Sequence, residues 1–141
     1  MGDAAGIGPE IICKSLWDIS LHEQIRPVVI GEASMMRRMT AILSENTEVV
    51  DFARSARPED RSIEMIDLKN LPDDLPMGRV SPATGKAAGE YIEKAVELWK
   101  NGEIDAICTA PIHKKSFGLG GYDFPGHTEF IAALQTQTIS Q

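Results

Sequence analysis

The chain has 141 residues and a formal net charge of −7, from 14 Lys and Arg against 21 Asp and Glu. With 43% hydrophobic and 25% charged residues it has the composition of a globular domain, neither disordered nor fibrous. Its length predicts one domain over residues 1–141, without an internal boundary. The acidic balance argues against a nucleic-acid partner and against anionic membranes, because both attract a surplus of Lys and Arg.

The two cysteines, Cys13 and Cys108, match no metal or redox spacing. Each lies in an apolar stretch, which predicts two buried, reduced thiols. No run approaches the roughly 18 apolar residues of a membrane helix. Residues 1–6 lack the features of a signal peptide, so we expect a cytoplasmic protein.

Helices and strands are predicted to alternate from the beginning of the chain. A glycine-rich loop at residues 1–8 leads into a helix that begins near Pro9. A short buried strand is predicted at residues 27–31. The helix predicted over residues 33–43 carries methionines at helical spacing, which is typical of a core.

A second strand is predicted at residues 62–68, and a loop rich in proline follows it. The clearest helix has Ser81 as its N-cap and Pro82 as its first residue, and it ends at Gly102. Its predicted apolar face consists of Ala88, Tyr91, Ile92, Ala95, Val96 and Trp99.

The last third of the chain begins with a predicted buried strand at residues 106–110, which Pro111 ends. A polar, glycine-rich stretch follows, and a last helix is expected to begin around Thr128. The polar residues 135–141 resemble a ragged end. Together, the alternating elements predict an α/β sheet with crossover connections.

Ligands of such sheets bind beyond the carboxyl ends of the strands, where the opening loop and the segment after residue 110 are expected. The opening loop does not match the dinucleotide fingerprint, because Ile11 stands where the third glycine belongs. A tight turn before a helix is the structural alternative for this loop.

His127 and Thr128 open the last predicted helix, where unpaired N–H groups favour a phosphate or a carboxylate. The imidazole and the hydroxyl would add directed hydrogen bonds to such an anion. In the alternative interpretation Thr128 only caps the helix and His127 lies on the surface. The segment directly after the predicted strand also offers the imidazole of His113 and the ammonium groups of Lys114 and Lys115.

Other kinds of site find little support in the sequence. The three histidines, His22, His113 and His127, do not have the spacing of metal ligands, and His22 is expected to face solvent. There is no nucleophile elbow and no Walker loop. The residues alone therefore predict an α/β domain with a candidate anion site.

Three segments, in order, resemble the 4-hydroxythreonine-4-phosphate dehydrogenase family, which acts in pyridoxal phosphate biosynthesis. They are Gly-Asp-Ala-Ala-Gly-Ile-Gly-Pro-Glu at residues 2–10, Thr-Ala-Pro-Ile-His-Lys at 109–114 and Pro-Gly-His-Thr-Glu-Phe at 125–130. Ala4 departs from the family pattern, which often has proline there. The resemblance assigns substrate binding to His127 and Thr128. It also makes His113 and Lys114 second-rank candidates near the cleft, without a defined role.

The resemblance implies a three-layer isocitrate/isopropylmalate dehydrogenase-like fold, of which this chain is an incomplete portion without the first strand and the C-terminal half. It also implies a homodimer that oxidises and decarboxylates 4-phosphohydroxy-L-threonine with NAD or NADP. A divalent metal (Zn, Mg or Co) would polarise the alcohol, and its ligands are expected outside this chain. The fragment alone is expected to be inactive.

Two alternatives stay open. One is a related dehydrogenase of threonate or erythronate 4-phosphate, which would use the same motif. The other is not an enzyme: a truncated remnant or a binding module that keeps only an anion site. A sheet without its first strand would expose an unpaired edge, so such a chain is expected to be unstable or to aggregate.

Overall fold

The computed structural model describes residues 1–43, 47–53 and 62–136. Within these ranges the elements are α1 (Gly8–Leu16), α2 (Ile19–Gln24), β1 (Val29–Gly31), α3 (Ala33–Ile42), β2 (Val49–Asp51), β3 (Ile63–Asp67), α4 (Pro82–Lys100), α5 (Lys114–Leu119) and α6 (His127–Thr136).

The three strands form one parallel sheet in the order β1-β3-β2. Val29 of β1 pairs with Met65 of β3, and Val49 of β2 pairs with Ile63 of β3. Parallel strands need crossover connections, and α3 lies in the one that joins β1 to β2. The predicted α/β fold with a parallel sheet is confirmed.

The sheet has helices on both faces. Successive residues of a strand point to opposite faces. Val29 accordingly packs in one apolar cluster with Cys13 of α1 and Met36 of α3, whereas Ile30 packs in another with Tyr91 of α4. The described part of the chain therefore has three layers, with α1 and α3 on one face and α4 on the other.

Helix α4 forms as predicted at its beginning and along most of its length. The Ser81 hydroxyl oxygen accepts a hydrogen bond from the N–H of Ala83 at 3.2 Å, and Gly102 beyond the helix has a φ of +70°. The expected burial of Trp99 is wrong, since this residue is 40% exposed. The cluster that α4 forms with α5 and α6 includes Val96 but not Trp99, whereas Leu98 of the same turn is buried in the cluster on the sheet side.

The strand predicted at residues 106–110 does not form, although the segment is apolar. The described sheet ends at β1, so no described strand pairs with this segment, and a strand needs a hydrogen-bonded neighbour. The predicted burial of Cys108 is also wrong. This cysteine lies in the same segment and is exposed, since no neighbouring strand covers it. Cys13 is buried as predicted, and that burial raises the pKa of its thiol to about 11.

Three short elements were not predicted: α2, β2 and α5. Each has six residues or fewer, too few to establish a periodicity. The expectation that His22 faces solvent is also wrong. It lies in α2, half-buried, and its Nε2 donates to the carbonyl oxygen of Leu16 at 2.8 Å. Of the predicted ragged end, Gln135 and Thr136 belong to α6, and residues 137–141 lie outside the described residues.

Candidate functional site

The opening loop packs against the segment that follows residue 110. Gly2 has a φ of +73°, and a side chain there would collide with the carbonyl groups of Ala110 and Pro111. The N–H of Asp3 donates to the carbonyl oxygen of Pro111 at 3.0 Å, and the Asp3 carboxylate accepts from the N–H of Ala5 at 2.9 Å. The two segments that the sequence placed at one edge of the sheet are therefore neighbours.

His113 has a structural role at the start of α5. Its Nδ1 accepts a hydrogen bond from the N–H of Ser116 at 3.2 Å and so caps the helix. The hydroxyl oxygen of Ser116 accepts from the N–H of Ser81 at 3.2 Å, which ties α5 to the beginning of α4. The next residue after the cap, Lys114, is exposed. The cap therefore fixes the backbone from which Lys114 projects.

Helix α6 is held in place by an aromatic cluster. Phe130, which is 4% exposed, lies edge-on to Phe117 of α5 with 5.7 Å between ring centroids, and Tyr122 lies 4.9 Å from it. The helix begins at His127, directly after Gly126. The N–H groups of its first turn have no acceptor within the helix, which gives this end a partial positive charge.

A cavity of about 490 Å³ lies between the beginnings of α5 and α6. Its walls are formed by Thr109, Pro111, Ile112, Lys114, Pro125, Gly126, His127, Thr128 and Glu129. The cavity thus joins a helix N-terminus, a hydroxyl, an imidazole and an ammonium group. That combination can hold a phosphate or a carboxylate by charge and by directed hydrogen bonds.

The charged and polar groups of the cavity differ in their partners. The Nδ1 of His127 is buried and has no hydrogen-bond partner within the described residues. A buried polar atom normally has a partner, because leaving it unpaired costs about 1–3 kcal/mol. Among the ion pairs formed by described residues, none includes Lys114. Glu129 adds one carboxylate to the lining of the cavity.

The structure brings together three of the four candidates of the sequence analysis. His127, Thr128 and Lys114 line one cavity, whereas His113 is not among its lining residues. Substrate binding by His127 and Thr128 stays a prediction. Sequence reasoning missed Glu129 and Thr109. Both lie inside the quoted motifs, and only their position in the fold shows that they face the cavity.

A polar network lies away from this cavity, around Tyr91. The hydroxyl of Tyr91 donates to Asn70 Oδ1 at 3.1 Å. Burial, and then the charges of Glu32 and Asp67, raise the pKa of Tyr91 well above its ordinary value, so the hydroxyl keeps its proton. The carboxylate of Glu32 accepts from the N–H groups of Asn70 and Leu71 at 2.9 and 3.1 Å. These contacts fasten the loop after β3.

Two kinds of feature are absent from residues 1–43, 47–53 and 62–136. No three His, Cys, Asp or Glu side chains gather there in a group that could hold a metal ion. No helix in these ranges combines the length and the apolar character needed to cross a membrane.

Known proteins resemble this chain over most of its length. D-threonate 4-phosphate dehydrogenase of Cupriavidus necator is 43% identical, and a protein of Oceanobacillus iheyensis provisionally named for the same activity is 47% identical. Each match covers 95% of this chain and 41% of the relative, so the chain spans about two fifths of the length of these relatives.

A solved structure agrees with these relatives. The crystal structure of a 4-hydroxythreonine-4-phosphate dehydrogenase from Burkholderia phymatum superposes with a TM-score of 0.90 at 46% identity, over 95% of this chain and 41% of that one. The incomplete α/β fold that the sequence predicted is thereby confirmed as a partial fragment of that fold. The family described as "Pyridoxal phosphate biosynthetic protein PdxA" matches residues 23–140. The chain belongs to this family.

Proposed function

We propose that this chain is part of a dehydrogenase that oxidises the secondary alcohol of a four-carbon hydroxy acid carrying a 4-phosphate. The observation that supports the proposal is the cavity at the start of α6, which His127, Thr128 and Lys114 line together. The substrate is an anion at both ends, so either its phosphate or its carboxylate would suit the positive end of α6.

In this proposal the residues of the chain bind and orient the substrate. The N–H groups of the first turn of α6 and the Thr128 hydroxyl donate hydrogen bonds to the anionic oxygens. The imidazole of His127, which lines the cavity, forms a further hydrogen bond to the substrate. Lys114 also lines the cavity and contributes positive charge. The carboxylate of Glu129 lies in the same lining and opposes an anion by its negative charge.

D-threonate 4-phosphate is our first candidate substrate, because the relatives from Oceanobacillus iheyensis and Cupriavidus necator are named for it. The second candidate is 4-phosphohydroxy-L-threonine, which the name of the Burkholderia phymatum structure favours. The two acids differ at C2, which carries a hydroxyl group in the first and an ammonium group in the second. The phosphate end is common to both.

The proposal includes NAD or NADP as the cofactor, a divalent metal (Zn, Mg or Co), and a homodimer of the whole protein. When bound, the nicotinamide accepts the hydride and the metal polarises the alcohol oxygen. The described residues do not provide a set of metal ligands. We therefore assign those ligands to chain outside the described residues and derive no step through the metal.

The test uses the longest protein that the reading frame around these residues encodes. Each candidate substrate is supplied with NAD or NADP and a divalent metal, and the formation of reduced nicotinamide is followed by absorbance. Thr128→Ala is expected to lower kcat/KM roughly 10- to 100-fold, the effect of losing one hydrogen bond to a charged group. Thr136→Ala, at the opposite end of α6, is the matched control and should leave kcat/KM unchanged.

The 141-residue chain should show no turnover with either substrate. Turnover by this chain would contradict the assignment of the metal and the cofactor to other residues. If the long form bound NAD but oxidised no phosphorylated hydroxy acid, the proposed substrate class would be wrong. A chain that binds inorganic phosphate through Thr128 but is never active in any form would instead support the binding-module alternative.

A further inference from the structure

The cavity at the start of α6 contains one carboxylate among groups that attract anions. Lys114 and the first turn of α6 supply positive charge, whereas Glu129 supplies negative charge to the same lining. This carboxylate lies at the beginning of the helix, because its Oε2 is 3.3 Å from the position that a Cβ on Gly126 would occupy. An anion bound at the N-terminus of α6 would therefore lie close to Glu129.

The carboxylate of Glu129 is available to a ligand. Glu129 is exposed, and none of the ion pairs formed by described residues includes it, although Lys114 lines the same cavity. Within residues 1–43, 47–53 and 62–136 the carboxylate also accepts no hydrogen bond. A negative charge in the first turn of a helix stabilises the helix, so a purely structural role has to be separated by experiment.

The effect of a carboxylate on a bound anion depends on whether that anion carries a proton. An ionised carboxylate accepts hydrogen bonds and cannot donate them. Toward an anion without a proton Glu129 contributes only repulsion. An anion with an O–H group can instead donate to the carboxylate, and hydrogen bonds of the O–H···O⁻ kind are short and strong. The lining of this cavity therefore favours an anion that keeps one proton.

We propose that Glu129 accepts a hydrogen bond from a phosphate O–H group and thereby selects protonated phosphate over anions that have no proton. This inference rests on the proposed function, since it concerns the same anion site. It also assigns the phosphate end of the substrate to α6, because the carboxylate end has lost its proton at neutral pH. A phosphate monoester has its second pKa at about 6, so roughly a tenth of it still carries the proton at neutral pH.

The experiment compares the binding of inorganic phosphate and of sulfate near neutral pH. Hydrogen phosphate and sulfate are tetrahedral dianions of similar size, and only hydrogen phosphate has an O–H group. Their affinities are obtained from the rise in Tm with anion concentration at constant ionic strength, both for the 141-residue chain and for the long form. We expect the wild type to bind phosphate at least about tenfold more tightly than sulfate.

Glu129→Gln is the decisive variant, because it keeps the size of the side chain and replaces the acceptor-only carboxylate by an amide that can donate. It should bind sulfate roughly tenfold more tightly than the wild type and bring the two affinities within about threefold of each other. A damaged fold cannot produce this gain. Loss of a purely structural carboxylate would change both affinities by the same factor.

Glu97→Gln is the matched control. It removes an exposed carboxylate from α4 that is not part of the cavity lining, so it should keep the preference of the wild type for phosphate. The inference is overturned if Glu129→Gln and the wild type show the same ratio of affinities, or if the wild type binds sulfate as tightly as phosphate. If the wild type binds neither anion, the inference and the anion site both fail.

Activity measurements separate this inference from the proposed function. A long form that oxidises a phosphorylated hydroxy acid, but whose preference for phosphate is unaffected by Glu129→Gln, would refute the role of Glu129 alone. A long form that prefers phosphate through Glu129, but oxidises no hydroxy acid, would refute the proposed reaction alone.

Discussion

The contact between α4 and α5 leaves no room for a side chain at Gly85, and this gives the sharpest test of the fold around the site. An ideal Cβ on Gly85 would overlap the carbonyl group of Ser116 and lie 2.7 Å from the backbone nitrogen of Phe117. Both obstacles are backbone, so Gly85→Ala must push the helices apart. Gly118 in α5 has nothing within 4 Å of the same position, so Gly118→Ala is the matched control.

The two substitutions should change the free energy of unfolding in opposite directions. Overpacking typically costs about 1–3 kcal/mol. Alanine in a helix is more favourable than glycine by roughly 0.5–1 kcal/mol, and this gain offsets part of the cost at Gly85. Because backbone atoms cannot rotate away, we expect the overpacking cost at Gly85 to lie near the top of its range. After subtraction of the gain in helix propensity, Gly85→Ala should lose about 2 kcal/mol. Gly118→Ala should stabilise the chain by about 0.5 kcal/mol.

Equilibrium urea unfolding measures both effects, and thermal melts provide a check. For a chain of this size a loss of about 2 kcal/mol corresponds to a decrease in Tm of roughly 4–8 °C. Gly85→Ala should also weaken the hydrogen bond between Ser81 and Ser116, because that bond crosses the same contact. If Gly85→Ala were as stable as Gly118→Ala, the close approach of α4 to α5 would be refuted.

Three further predictions concern buried groups. Glu32→Ala leaves two backbone N–H groups without an acceptor and should destabilise the chain by about 2–5 kcal/mol in urea unfolding, whereas Glu32→Gln keeps one acceptor oxygen and should lose less than half of that. Near neutral pH a thiol reagent should modify one cysteine per chain, and Cys108→Ser, but not Cys13→Ser, should abolish the reaction. Because burial lowers the pKa of the Met1 amino group from 8.0 to about 5, the folded chain binds fewer protons than the unfolded chain between these values. Its stability should therefore rise from pH 5 to pH 8, and equal urea midpoints before and after acetylation of this group across that range would contradict the reasoning.

The sequence predicted best the elements that are specified locally. Helix α4 has its own N-cap, its own first proline and a glycine beyond its end, so its limits could be placed without knowledge of the fold. The α3 methionines follow the helical period, and Met35, Met36 and Met39 are buried accordingly. The short elements failed because six residues of α2 or three of β2 carry too little pattern.

Residues 106–110 show a different kind of failure. Their composition favours a buried strand, and nothing in the segment itself opposes one. A strand depends on hydrogen bonds to neighbours that are distant in sequence, and the described sheet provides none for this segment. The exposure of Cys108 follows from the same missing neighbour. Local sequence could not have revealed either fact.

The candidate site could be predicted in part for a similar reason. His127 and Thr128 were found because a helix N-terminus is visible in the sequence. The place of Lys114 in the cavity lining could not be predicted from the sequence, because it depends on where α5 begins. His113 and Lys114 are adjacent in sequence, yet one caps α5 and the other faces the cavity. Only the position of the helix separates a structural residue from a candidate ligand.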